Sequence, residues 1–465
     1  MVMDEPLDFE MEQEEDPLLA APRPTKRKKV IGLDDLLLDY YESGKDERKG
    51  KAKRRPIGYN SEDLDDIFRN NSEKEIEICK IVKSVEEEAK KMDATEDVPL
   101  WGQKVFGCQK PPSILSDTGV ENCHLLQSFS SDELLGFDLE IDKGEGFLEG
   151  LLVDGWLLKL VHISGSVEDS IASWTLTKML YSSNKKLQVS ATDFWEGILS
   201  VDEGDKLPVT LGYFPSYSVL KHAILSYGYL FDTPDTKTSI SGSAADRLGD
   251  GPPENIIAWL RVVSACCKVR KVFSIFSPLE AEQLLVIVIS LFLDRELEGL
   301  LLILGDCLNS LILYFTMGEW ESSCVMAAES IAQRVSMDLN CLRIVDCITG
   351  TNDRNKFLRS QLALQLLKIS FGLKVGNVEK ILKLVTSINV KDKECDLFKR
   401  YVYLVLMDKL LFSTDAFRNK TMVVDSWRNY LRSCSTQIGC TDWRFYASKV
   451  RNKASYLLQR VMVKR

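Results

Sequence analysis

The sequence predicts an all-α protein, an irregular α-solenoid or helical-repeat-like bundle with a disordered, highly charged N-terminal tail. Three observations predict it. Apolar residues recur at three- and four-residue spacing through most of positions 254–465, while strand-like alternation is scarce throughout. Short turns separate these periodic stretches, and no repeat of fixed length relates them. The first 100 residues hold 27 acids and 18 bases and confine their apolar residues to short islands, too little hydrophobic surface to offset the entropy of ordering a chain.

In the tail, 1–98, Lys26, Arg27, Lys28 and Lys29 follow Pro22 and Pro24, and a second basic cluster starting at Lys49 contains Lys51, Lys53, Arg54 and Arg55. Bases on an extended, unstructured chain suit the acidic grooves of an import receptor, so both clusters are candidate nuclear-import signals. Between them Gly32 precedes Leu33, Leu36, Leu37, Tyr40 and Tyr41, spaced to form one apolar face of a short helix. So short a helix is marginal alone in water, so it docks either on this chain's own body or on a partner. Leu64, Ile67 and Phe68 form a smaller island, and Ser72 with Glu75 offers a capping box for a helix through Ile78, Ile81, Val82 and Val85.

Residues 99–231 read as an N-terminal helical lobe with helices near 120–128, 145–163, 167–181, 190–200 and 216–231, Ser190 and Asp193 supplying a capping box for the fourth. In 232–253, 16 of 22 residues are Asp, Ser, Thr, Gly or Pro, which marks a linker or long loop. From 254 to 465 the pattern is a C-terminal stacked helical domain, with helices near 254–275, 278–296, 299–316, 319–335, 337–348, 353–371, 377–388, 393–412, 415–434 and 442–462. Ser277, Pro278 and Glu280 form a compact helix start. The stretches 278–293 and 299–315 are apolar on nearly all sides, so both are expected in the middle of the stack.

No constellation for chemistry emerges. His124, His162 and His222 lack partners at catalytic or metal spacing. The twelve cysteines form no CxxC pair, and Cys307, Cys324, Cys341 and Cys347 lie in apolar helical patterns, as core thiols of a reducing compartment do. Cys266 and Cys267 are adjacent and too strained to bridge, so one is expected to pack and the other to face a groove. Cys108, Cys123 and His124 lack a fourth zinc ligand. Gly144, Gly146 and Gly150 miss the dinucleotide fingerprint, because the last glycine falls one place late and no strand precedes; they read as a helix-entry loop. Asp202, Glu203 and Asp205 read as a solvated acidic turn without EF-hand spacing. The expectation is no catalytic residue, no cofactor and no metal.

The net charge of −10 is uneven: residues 1–260 hold 49 acids and 29 bases, residues 261–465 hold 20 and 30. This excludes a uniformly basic nucleic-acid binder but leaves room for a basic C-terminal face. Residues 391–465 carry 16 bases and 7 acids among Trp427, Tyr430, Trp443, Phe445, Tyr446 and Tyr456. Either these aromatics are core and the bases their wet face, or exposed rings stack on unpaired bases beside phosphate-binding cations. A basic face can equally meet an acidic partner. The acidic start, Met1 to Asp16, lacks the basic-then-apolar order of a signal peptide. The longest uncharged apolar run, 284–293, is about half a membrane span. A soluble, intracellular protein with no membrane contact is expected.

Pro6, Leu7, Asp8, Phe9 and Glu10, the cluster Lys26–Lys29, the Gly32 to Leu37 island, and Leu207-Pro208-Val209 ahead of a helix from Pro215 to Leu220 together resemble the plant CANIN-domain proteins. These interact with the non-Smc subunits of the five/six SMC complex. The resemblance, spread over about 26–45 and 140–460, implies a nuclear, non-enzymatic subunit of the Nse-five/Nse-six type. Such a subunit helps bring a chromosome-organising ATPase to damaged chromatin in DNA repair. The implied partners are SMC-complex subunits, namely a non-Smc element and an SMC coiled coil or head, in a hetero-oligomer with at most weak or indirect DNA contact. The competing class is a direct nucleic-acid-binding or transcription-associated helical protein that works through its basic C-terminal helices.

Overall fold

The computed structural model describes residues 101–110, 123–130, 144–201, 206–230, 252–374, 377–412, 421–439 and 441–463. The chain divides into two units, Met1–Thr95 and Glu96–Arg465, and all described residues belong to the second. The import candidates Lys26, Arg27, Lys28, Lys29, Lys51, Lys53, Arg54 and Arg55 lie outside the described residues. So do the docking island Leu33, Leu36, Leu37, Tyr40 and Tyr41, and the acidic turn 202–205.

The described residues are all-α, with sixteen α-helices, two 3-10 segments and one pair of two-residue strands. The first helices are α1 (His124–Ser130), α2 (Gly144–Val153), α3 (Trp156–Ser164), α4 (Asp169–Tyr181), α5 (Lys185–Ile198) and α6 (Tyr217–Ser226). The strands β1 (Ser166–Val167) and β2 (Thr210–Leu211) pair in parallel.

Three expectations are corrected here. The stretch 145–163 is two helices, because Gly155 takes φ +74 between α2 and α3, a left-handed conformation that glycine alone adopts without cost. Gly144, Gly146 and Gly150 lie inside α2 instead of an entry loop, and two carboxylates of that helix grip Lys178 of α4, Glu145 at 2.9 Å and Glu149 at 2.7 Å. Ser190 and Asp193 are interior to α5, whose N-cap is Asn184, accepting from the Lys186 amide at 3.0 Å. Asn184 takes the same role nearly two turns earlier.

After residue 252 come α7 (Asn255–Lys268), α8 (Pro278–Leu291), a 3-10 segment (Arg295–Leu300), α9 (Leu301–Tyr314), α10 (Met317–Ala332) and α11 (Leu339–Asp346). These lead to α12 (Asp353–Ser370), α13 (Val378–Thr386), α14 (Leu397–Phe412), α15 (Thr421–Gln437) and α16 (Ala447–Val463). The Ser277 capping box forms as the sequence predicts, with Glu280 reaching back to the Ser277 amide at 2.8 Å and Pro278 in the first helical position. A second box, Thr316 with Glu319, starts α10.

Two rows of helices stack next-but-one, while α4 with α5 and α15 with α16 pack as consecutive pairs. α5 packs on α7 and α7 on α9; α8 packs on α10, α10 on α12, α12 on α14, and α14 on α16. α8 also packs on α9, joining the two rows. Within these rows each helix rests on the one a full helix–turn–helix away, the arrangement of a solenoid in which each layer contacts its neighbours. Trp174, Trp195, Trp259 and Trp427 are fully buried along the array.

Two packing expectations change. α8 is central, with Leu284, Leu285, Val288, Ile289 and Leu291 inaccessible. α9 is not: Leu304, Cys307, Leu308, Leu311 and Ile312 face α7 and α8, but Leu302 is 86% and Leu313 63% exposed. The stretch Arg295–Tyr314 is long and apolar enough by composition to cross a bilayer, yet it is stacked on two helices with one face open. Both Cys266 and Cys267 are buried, so neither faces a groove.

The extended segment 101–110 holds distant parts of the array together. Gly102 donates to Asn340 Oδ1 at 2.6 Å, Gln103 to the Leu293 carbonyl at 2.9 Å, and Gly107 to the Gly228 carbonyl at 2.8 Å. Phe106 pairs with Tyr229 in an antiparallel bridge. The guanidinium groups of Arg343, at 4.4 Å, and Arg295, at 5.4 Å, both lie over the Trp101 ring. Gly228, at φ +90, brings its backbone so close that a Cβ there would sit 2.6 Å from the Gly107 carbonyl oxygen.

Candidate interaction surfaces

Among the described residues no group of three or more His, Cys, Asp or Glu could hold a metal ion. His124, His162 and His222 are all exposed, on α1, α3 and α6. Burial pushes the thiols up, Cys341 to about 12 and Cys434 to about 11, with Cys266, Cys267, Cys307, Cys324 and Cys347 also raised. A thiol held protonated is neither nucleophile nor metal ligand. Cys123 is buried and bonded to the Leu126 amide at 3.5 Å, and Cys108 is exposed.

Two surfaces carry what a partner can use. The first is the open face of α9. Leu302 and Leu313 are eleven residues apart, which returns to within about 20° on a helix of 3.6 residues per turn. Met317, 80% exposed at the start of α10, extends this edge. Arg354 of α12 holds the edge in place, donating to the carbonyls of Ile312 at 3.0 Å and Phe315 at 2.7 Å, with its other amino group against Met317 Sδ at 3.4 Å. The sequence placed 299–315 in mid-stack and so missed this face. A helix apolar on every side gives no periodic signal to say which side stays open.

The second surface is the basic C-terminal end, where the structure divides the six aromatics equally. Trp427, Tyr430 and Tyr446 are core, whereas Trp443 is 80%, Tyr456 57% and Phe445 39% exposed. Trp443 and Phe445 project from the turn between α15 and α16, and Arg444 fixes that turn from beneath. It donates to the carbonyls of Val390 at 3.0 Å and Asp392 at 2.6 Å and pairs with Asp442 at 2.7 Å, which holds the Asp442 carboxyl below its usual range. Tyr446 adopts φ +65, unusual for a residue with a Cβ, and its ring is locked among Phe398, Tyr401 and Phe445 at 4.7–5.4 Å between centroids.

α16 carries Lys449, Arg451, Lys453 and Arg460 and no acid. Lys449, Lys453, Tyr456 and Arg460 fall within an arc of about 60°. Arg460 pairs with the buried Asp408 of α14. Burial nevertheless raises the Asp408 carboxyl, since removing the charge from water outweighs the guanidinium beside it. Among the described residues neither Lys449 nor Lys453 is held in an ion pair; their ammonium groups lie over the Tyr446 ring at 4.2 Å and the Tyr456 ring at 5.6 Å. Buried donors without a partner among the described residues gather at this end, at Arg400 Nε and Nη1, Arg451 Nη1 and Trp427 Nε1.

No family profile matches the chain, and no curated protein matches it by sequence.

Proposed function

We propose that this chain is a non-enzymatic scaffold or adaptor subunit of a nuclear SMC-type chromosome-maintenance complex, supporting its recruitment to chromatin in DNA repair. The observation that carries the scaffold part is the stacked array of helices with an apolar edge, Leu302, Leu313 and Met317, left in water. An array of this kind offers long contact surfaces whose stability does not depend on a single site. The SMC assignment rests on the CANIN resemblance and on the tail pattern: the import candidates at Lys26–Lys29 and Lys51–Arg55, and the docking island Leu33, Leu36, Leu37, Tyr40 and Tyr41. In this reading the island folds on a groove of a non-Smc element or an SMC coiled coil or head. Each buried leucine contributes about 1.5–3 kcal/mol against the ordering of about ten residues.

The test is purification of the tagged full-length chain from nuclear extract. Large SMC ATPases should copurify, and Leu36→Asp with Leu37→Asp should remove them while leaving the melting temperature unchanged. Absence of SMC subunits from the wild-type eluate sinks the assignment. Loss of melting temperature in the double variant places the island on this chain's own body instead.

A further inference from the structure

We infer that the turn 441–446 and the outer face of α16 form a stacking platform for single-stranded nucleic acid. This goes beyond the scaffold reading and does not rest on it. Such a ligand presents two chemistries at once, flat apolar faces and a regular row of phosphates, and proteins that bind it without sequence preference match both with exposed rings beside cations. The C-terminal end supplies both in one place. Trp443 offers an indole 80% open to solvent on a turn that Arg444 clamps through Val390, Asp392 and Asp442. The turn that carries the ring is therefore already ordered before binding.

Tyr456 is exposed on α16, with Lys449 and Lys453 on the same arc, while Arg460 at the end of that arc is held by the buried Asp408. From Lys449 to Tyr456 the helix rises about 10 Å, long enough to follow about two nucleotides. The acids nearest the platform are largely committed: Asp442 to Arg444, and Asp408 to Arg460 beneath the surface. Asp392, Glu394 and Asp396 on the adjacent turn alternate with Lys391 and Lys393, so that turn adds little net charge. An acidic peptide would use the lysines but has no need of the open indole. A duplex would present phosphates but keep its bases stacked away from Trp443.

The experiment follows binding of a fluorescein-labelled oligothymidylate of about 20 nucleotides to the full chain by anisotropy, from about 50 to 200 mM salt. A duplex of equal length and polyglutamate serve as competitors. The single strand should bind and weaken steeply with salt, and both competitors should displace it poorly. Trp443→Ala with Tyr456→Ala should weaken binding at least tenfold with unchanged melting. Lys449→Ala with Lys453→Ala should reduce the slope of log affinity against log salt by about 1.4, at about 0.7 per lost contact. Trp443→Ala alone should abolish most of the tryptophan quenching on titration. No binding at low salt, binding indifferent to the aromatic pair, or displacement by duplex or polyglutamate as readily as by unlabelled single strand each overturns the inference. Indifference to the aromatic pair would assign the binding to other cations of the chain.

Discussion

α8 and α9 are alike in length and apolar composition and opposite in situation. Both are fourteen residues of mostly Leu, Ile and Val. α8 is enclosed by α9 and α10, starts at a full capping box and keeps its aliphatic residues inaccessible apart from the ends. α9 lies on α7 and α8 at the edge of a row, starts from a 3-10 segment without a side-chain cap of its own, and shows Leu302 and Leu313 to water. The difference teaches that apolar composition sets how much surface a helix can bury, and its place in the stack decides how much it does bury.

The largest expected contrast comes from placing a charge in each helix. Leu291→Asp puts an unpaired carboxylate at a fully enclosed position of α8 and should cost upward of about 4 kcal/mol, leaving the protein insoluble or unfolded at 25 °C. Leu302→Asp should stay within about 0.5 kcal/mol of wild type in a denaturant titration. Equal effects would break the comparison, since α9 would then be as enclosed as α8.

A middle-sized effect is expected where the two helices are tied. The Tyr314 hydroxyl, at the end of α9, accepts from the Phe276 amide at 2.9 Å and donates to the Phe276 carbonyl, just before the α8 cap. Tyr314→Phe strands a buried amide and should cost about 1–3 kcal/mol; a cost near zero would mean that water reaches Phe276.

The smallest effect is a pH dependence at the junction. Asp294 lies between α8 and the 3-10 segment, bonded to the amides of Glu296 at 3.0 Å and Val105 at 3.4 Å, yet burial raises its carboxyl above the usual range. A raised folded value means that the native state binds the proton first. Acidification through the carboxylate range therefore favours the fold at this group, and the benefit is lost as pH rises through the folded value. Relative to Asp294→Asn, wild type should gain stability as pH falls toward the ordinary aspartate value of about 3.9; a loss would show that the amide bonds dominate.

How much of this was readable in the sequence depends on the range of the interaction. Ser277, Pro278 and Glu280 declare the start of α8 because a cap is made by neighbours three residues apart. The apolar pattern of 145–163 runs unbroken across Gly155, so its spacing shows no sign of the left-handed turn. The aromatics of 427–456 could not be divided from sequence, because burial of Trp427 and exposure of Trp443 follow from helix rotation and from the Arg444 clamp on Val390. The open face of α9 is invisible for the reason already seen in its composition. The segment 101–110 left no trace either: it has no period, and its partners Leu293 and Asn340 lie some 190 to 238 positions away.

That segment changes how the array should respond to load. A solenoid whose layers touch only their neighbours behaves as a spring and can open one turn at a time from either end. Here a strut running from Trp101 to Lys110 ties the end of α6 to the α8–3-10 junction and to α11, so those layers cannot separate without also breaking it. In a pulling measurement the part spanned by the strut should yield in a single large event, while α12 to α16, beyond it, give way layer by layer. The fixed portion and the yielding portion of one continuous stack would then be set by ten residues that belong to neither row of helices.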